Sequence, residues 1–422
     1  MTKIKYAVFL TIMCTPVLLF GQSGASLGLG GFTAISRGVD AVYWNPANLA
    51  FMEQGQANFQ MKLFSLTIGT GNNSFSFNLI NKYIGDGESI YLTEDDKKDI
   101  LNLIADQGLV FDVSGKASVL SFAYKNWGFG IETHVYGNFS IPRDLYKNIL
   151  FKIGQESYDY SVDGGGCGVT KMKFSYGMNL IDDIILELPL LKHTIFKQVS
   201  GGVSVSYLQG IGYSQITKGT ALLTISDFGI LPKAEFEART ATLGSGLGVD
   251  FGFSSYTNNH WKIGMLFENV LGYIRWHRDA KVAAASLDLG VKPLFIIGEG
   301  QLSDLDFDSV TSDTSYAIGG FSTRLPFNFR MALARDFGKY LINFELGHVD
   351  QASQVALGGR IKFGFFHLLG SMGRQMNNFQ WNAAFALDFN KFYFDLGVSS
   401  RSGLTLGDTK GLFLGTSIKF GI

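Results

Sequence analysis

Proline is scarce, at 7 of 422 residues, while glycine reaches 52 and phenylalanine 37. That balance argues against a disordered chain and suits many extended segments. Cysteine is nearly absent. Cys14 falls in the leader, so Cys167 stands alone in the mature chain, with no partner for an internal disulfide and no basis for a metal cluster. Charge of either sign is not in excess: 35 Lys and Arg face 36 Asp and Glu, for a net charge of −1. A nucleic-acid partner has no basic surface to build on. The six histidines (His134, His193, His260, His277, His348 and His367) are scattered, with no His-x-x-x-His pair and no Ser/His/acid spacing. Neither an enzyme active site, nor a metal site, nor a cofactor is expected.

The opening residues read as a secretory leader over 1–21: Lys3 and Lys5 supply the positive end, Tyr6 to Phe20 the apolar stretch, and cleavage follows Gly21. Beyond it, no apolar run is long enough for a spanning helix. The most apolar candidate, from Ile184 to Leu191, is short and holds Glu187 and Pro189. Mean hydropathy is nevertheless +0.15. Apolar content without a spanning helix leaves a large soluble core or a β-barrel with lipid outside.

Period-2 alternation favours the barrel. In 379–389, Phe379, Trp381, Phe385, Leu387 and Phe389 oppose Gln380, Asn382, Ala384, Ala386 and Asp388. In 327–336, Phe327, Phe329, Met331 and Leu333 oppose Asn328, Arg330, Ala332, Ala334 and Asp336. The last segment repeats the pattern, with Phe413 as the exception. Many such runs reach about 9–11 residues, the length of a tilted membrane strand, and the polar face has the small and singly charged residues of a wet lumen. Trp127, Trp261, Tyr340 and Phe389 fall at strand ends, where aromatic girdles sit.

The fold class is therefore all-β: a transmembrane antiparallel β-barrel in the bacterial outer membrane, with membrane lipid as its surroundings. The patterns number 16 or 17, but closure calls for an even count. With 57–68 or 155–163 set aside as rim or hatch structure, about 14 strands remain, with 16 as the alternative. Tight turns near 125–126, 258–259, 338–339 and 390 mark one rim. Longer loops near 83–115, 139–155, 179–196, 226–239, 271–326 and 400–410 mark the other. Two loop helices are expected: one capped by Thr93 with Glu94, Asp95 and Asp96 in its first turn, and one over 142–151.

Inward-facing charges are expected at Glu132, Asp250, Lys262, Glu268, Arg330, Asp336, Glu345 and Asp388. Their mixed signs point to neighbouring ion pairs rather than an ion-selective ring. Apolar loop residues Ile184, Leu186, Leu188, Leu190, Phe228 and Leu231 are candidates for a hydrophobic entrance.

Residues 25–50, ASLGLGGFTAISRGVDAVYWNPANLA, carry a more specific signal. Asp40-Ala41, Tyr43-Trp44, Asn45-Pro46-Ala47 and Leu49-Ala50 resemble the N-terminal region of the FadL superfamily of outer-membrane proteins, including its PorV-like branch. The resemblance implies a hatch folded into the lumen, here 22–55, with the barrel over 56–422. Asp40, Trp44, Asn45, Pro46 and Ala47 are its marker residues. Local chemistry agrees: Asn45 suits a cap and Pro46 a first helical position. The FadL branch implies passive passage of a hydrophobic small molecule. The PorV-like branch, of Bacteroidetes-type bacteria, implies instead an interaction with a secretion-system protein or a role in surface attachment.

Overall fold

The computed structural model describes residues 23–51, 58–84, 92–151, 157–188, 191–226, 229–288, 295–296, 301–302, 311–349, 352–375 and 378–421. The leader expected at 1–21 lies outside them. The first described stretch holds two short helices, α1 (Gly24–Gly28) and α2 (Ala41–Trp44), and two 3-10 turns, Gly38–Asp40 and Pro46–Phe51. Everything else hangs on strands: β1 (Phe59–Asn72), β2 (Leu109–Tyr124), β3 (Trp127–Ile141), β4 (Ser157–Ser161), β5 (Asp163–Leu188), β6 (Leu191–Ser226), β7 (Gly229–Ala241), β8 (Leu243–Thr257), β9 (Trp261–Arg278) and β10 (Lys281–Asp288). A two-residue pair follows, β11 (Phe295–Ile296) and β12 (Gln301–Leu302), then β13 (Thr311–Ala317), β14 (Phe321–Arg324), β15 (Asn328–Asp336), β16 (Tyr340–Val349), β17 (Ala352–Phe363), β18 (Phe366–Gln375), β19 (Asn378–Asp388), β20 (Phe392–Arg401) and β21 (Gly411–Gly421).

The runs β7–β8, β9–β10 and β13–β15 each form one long wall strand, which gives a closed antiparallel barrel of 14 strands. Closure falls between the first strand and the last: Ile68 lies opposite Gly115 of β2 on one side and Leu414 of β21 on the other. Segment 57–68, which the pattern left open as rim or hatch, thus contributes to the closing wall strand. Segment 155–163 contributes β4, a short strand laid against Thr220–Thr224 of β6.

Side chains alternate across the wall as the pattern requires. Leu368, Leu396 and Leu414 are exposed on the outside, while Asn343, Asp395 and Ser417 are fully buried on the inside. Because the period is 2, a one-residue slip in any strand would exchange these sets. Phe413 breaks the rule by turning inward. It packs on Leu27 of α1, with the Arg401 guanidinium 5.2 Å from its ring centre. Trp127, Tyr340 and Phe389 sit exposed at the short-turn rim. There the Trp127 and Tyr176 rings lie 4.3 Å apart and Arg335 stacks over Trp261 at 5.1 Å.

The two rims differ. Short turns join β2 to β3, β8 to β9, β15 to β16, β17 to β18 and β19 to β20 at one end. The opposite end holds α3 (Phe77–Ile84), α4 (Glu94–Leu103) and α5 (Arg143–Phe151). Thr93 caps α4 through Asp96, as its sequence indicates, and Arg143 at the start of α5 binds Asp106 at 2.7 Å. Three expected loops are corrected, the first being 226–239, most of which is strand β7 paired with β6 and β10. Residues 179–188 and 191–196 are paired arms of the β5–β6 hairpin, at the short-turn rim rather than the long-loop rim. Much of 271–326 is strand, because β9–β10 and β13–β14 continue past the wall, where they pair with each other and with β7. Of these, β10 and β13 are built mainly of small and polar residues, and so lack the apolar stripe by which membrane strands are recognised.

Leu396→Arg places a charge on the lipid face of β20, and unfolding of the reconstituted barrel in urea should show a loss of about 2–4 kcal/mol. A loss below about 0.5 kcal/mol, the range of an ordinary surface change, would contradict the outward assignment.

Candidate functional site

The hatch is anchored where the barrel closes. Lys62 of β1 and Lys419 of β21 are direct register partners, and both point inward. Two like charges facing each other on paired strands repel. Asp40 resolves this from inside the lumen, placing one carboxylate oxygen 2.8 Å from Lys62 and the other 2.5 Å from Lys419. Its approach depends on Gly38, whose φ is +55° and whose α-carbon lies so near the Gln60 amide that a Cβ would overlap it. The next N–H, of Val39, donates to Gln60 Oε1 at 3.3 Å. Burial alone would raise the Asp40 carboxyl, but Lys419 and Lys62 outweigh it and hold the group down to about 2.

The turn that follows is packed against a row of wall glycines. Asn45 Oδ1 accepts from the Ala47 N–H at 3.1 Å, the cap its position suggested. Its amide donates to the carbonyls of Thr33, at 3.2 Å, and Phe253, at 3.0 Å. Pro46 opens the 3-10 turn, as expected of a first helical position. Gly177, Gly202 and Gly252 stand side by side on β5, β6 and β8. A Cβ on Gly202 would come within 2.2 Å of the Ala47 nitrogen, and one on Gly252 within 2.1 Å of Asn45 Oδ1. Trp44 is buried, with Phe32 at 6.2 Å and Arg330 at 5.0 Å from its ring centre. Thr33 binds Glu345 through both its N–H, at 3.2 Å, and its hydroxyl, at 2.8 Å.

Toward the long-loop rim, a belt of opposite charges lies above the hatch. Lys171 meets Glu268 at 2.9 Å, Lys173 meets Asp250 at 2.8 Å, Glu132 contacts His134, and Arg330 lies 3.8 Å from Glu345. Glu132, Asp250, Glu268, Arg330 and Glu345 are therefore brought together, as alternating ion pairs. Lys262 and Asp336 pair separately at 3.4 Å, nearer the short-turn rim, where Arg360 reaches the same carboxylate at 3.8 Å. Asp388 is only half-buried and accepts the Asn390 N–H of a short turn at 3.1 Å. Lys171 and Lys173 were legible as the inward partners of Met172 and Phe174, although no expectation named them. The pairing of Asp40 with Lys419, 379 positions away, had no local signal.

Above the charges, the inner wall becomes apolar. Val169, Leu208, Ile274 and Trp276 are buried there, joined by Tyr213 and Phe321, whose rings lie 5.4 Å apart. Trp276 donates its indole N–H to Thr323 Oγ1 at 2.9 Å. Cys167 is buried in the same cluster.

The apolar entrance expected from loop residues does not assemble. Ile184, Leu186 and Leu188 belong to the β5–β6 hairpin at the short-turn rim, whereas Leu231 pairs with Thr224 at the opposite end. Leu190 and Phe228 lie outside the described residues. Connectivity separates the two groups, since β6 runs the height of the wall between them.

The chain is a closed 14-strand antiparallel barrel with its N-terminal helical segment packed inside the lumen. No protein-family model and no curated protein matches the sequence. Among solved structures, the toluene transporter TbuX of Ralstonia pickettii is similar at a TM-score of 0.51 and 11% identity, over 96% of this chain and 99% of that one. The CymD monoaromatic hydrocarbon channel is similar at 0.52 and 11%, over 95% and 97%.

Asp40→Asn leaves Lys62 and Lys419 facing each other with no counter-charge. Denaturant unfolding should reveal a loss of about 3–5 kcal/mol, the usual cost of removing one partner of a buried pair. A wild-type stability equal to the variant's would contradict the anchoring role. The pH dependence has a fixed sign. Asp40 is held below its ordinary 3.8, at about 2, so its contribution is complete above pH 3.8 and disappears as pH falls through 2. Maleimide labelling of an Ala47→Cys/Cys167→Ser barrel should be slow at pH 7 in folded protein and fast once it is unfolded in denaturant. Hatch proteolysis by pepsin should then rise between pH 4 and 2, and more sharply than in Asp40→Asn.

Proposed function

We propose that this chain is an outer-membrane channel for passive entry of small hydrophobic molecules, of the size of a monoaromatic hydrocarbon, exported to the membrane by cleavage of its leader after Gly21. The observation that carries this reading is the apolar, aromatic stretch of inner wall formed by Leu208, Tyr213, Trp276 and Phe321 at the long-loop end. A barrel lumen open to water is expected to be polar, and on the β5, β6 and β9 side of this one the wall is apolar instead. An apolar solute entering from outside meets rings first, gaining about 25 cal/mol for each Å² it removes from water. The charge belt and the hatch lie beneath, so onward movement requires the solute to leave the axis or the hatch to yield.

The fold it shares with the hydrocarbon channels TbuX and CymD supports the reading. Uptake of radiolabelled toluene by cells expressing the barrel tests it. Expression should raise the initial rate severalfold over empty cells, and Trp276→Ala with Phe321→Ala should remove most of the gain while the folded barrel persists on gels. Equal uptake with and without the barrel, or copurification of a secretion protein whose export depends on the chain while toluene uptake does not, would replace this function with the interaction role.

A further inference from the structure

The outer wall is not uniformly convex. A groove of about 1090 Å³ crosses its lipid face between β16 and β21, a volume at the upper end of those seen for small-molecule sites. Its floor is the register row Gly359, Gly370 and Ala383 on three neighbouring strands, all turned outward. A Cβ on Gly370 would meet nothing nearer than a backbone oxygen at 3.7 Å, so the depression is open rather than filled by the protein. Ile361, Phe385 and Leu396 wall it. Within the hydrocarbon layer, water does not fill such a space.

One end of the groove carries charge. Phe337 and Tyr340, which close it at the short-turn rim, are each covered by a cation: Arg335 lies 4.8 Å from the Phe337 ring centre and Lys339 5.7 Å from that of Tyr340. Among the described residues, neither Arg335 nor Lys339 has an ion pair. Long basic side chains at a membrane interface extend to the headgroup level. The rim of short turns faces the periplasm, so these two cations lie at the level of the inner leaflet's phosphates.

From the apolar groove and the two cations at its end, we infer that this wall binds one phospholipid of the periplasmic leaflet, with an acyl chain laid over Gly359, Gly370 and Ala383 and its phosphate between Arg335 and Lys339. A chain-shaped occupant fits a floor of small residues between taller walls. The convex face of a second barrel does not enter it. The same strands hold the hatch on their inner side, where the Leu29 carbonyl lies against Gly358 and Gly28 against Ala384, so the lipid sits one wall thickness from the hatch.

Native mass spectrometry of the delipidated full-length barrel, titrated with phosphatidylglycerol, tests the assignment. Wild type should saturate first as a single adduct. Gly370→Phe, which fills the floor, and the double variant Arg335→Gln/Lys339→Gln should each weaken that adduct about tenfold or more, whereas Leu247→Phe on the far wall should not. Heat-modifiable gel mobility confirms that each variant is folded. Three results would overturn the inference: many equivalent adducts unaffected by Gly370→Phe; loss of the adduct in Gly370→Phe with full retention in the charge variant, which assigns the groove to an acyl chain without headgroup recognition; or a dimer that disappears in Gly370→Phe, which assigns it to a second copy of the chain.

Discussion

The contact of Asp40 with Lys62 and Lys419 is the constraint on which the rest of the barrel depends. Barrel closure requires the first and last strands to pair, and in this chain the pairing sets two lysines opposite each other inside the wall. One carboxylate from the hatch neutralises both. Closure and hatch docking are therefore one event, since the wall is electrostatically complete only with the hatch in place.

Around that anchor, the wall has yielded volume to the hatch. Gly177, Gly202 and Gly252 leave space for the Asn45-Pro46-Ala47 turn, which gives the glycine excess a specific cause beyond turns. The lumen is graded along its axis. The hatch fills the level nearest the short turns, paired charges form the next, and aromatic and aliphatic side chains line the β5, β6 and β9 side of the mouth. Pairing keeps the middle level near neutral, so it opposes an apolar solute by hydration rather than by net charge.

How much of this was legible follows from where the physics is local. Strand identity and face were readable in 327–336 and 379–389, because lipid on one side and a polar lumen on the other impose a period of 2 that each segment shows by itself. The Asp40 to Ala50 motif likewise announced a hatch. What failed to show depended on neighbours distant in sequence. The strand extensions β10 and β13 within 271–326 are small and polar in sequence and look like loop. The apolar hairpin around Ile184 resembled a long loop at the wrong rim, because rim assignment depends on the parity of strands before it. Ion-pair partners such as Lys419 are set by closure, and no window of sequence contains it.

Amide hydrogen exchange in the full-length barrel, reconstituted in lipid, addresses the central claim most directly: that residues 23–51 form a docked element of the folded wall. Their amides should be protected to the same order as those of β1 and β21, and should open together with them. Exchange of 23–51 at the rates of a free chain, while β1 and β21 remain protected, would contradict it.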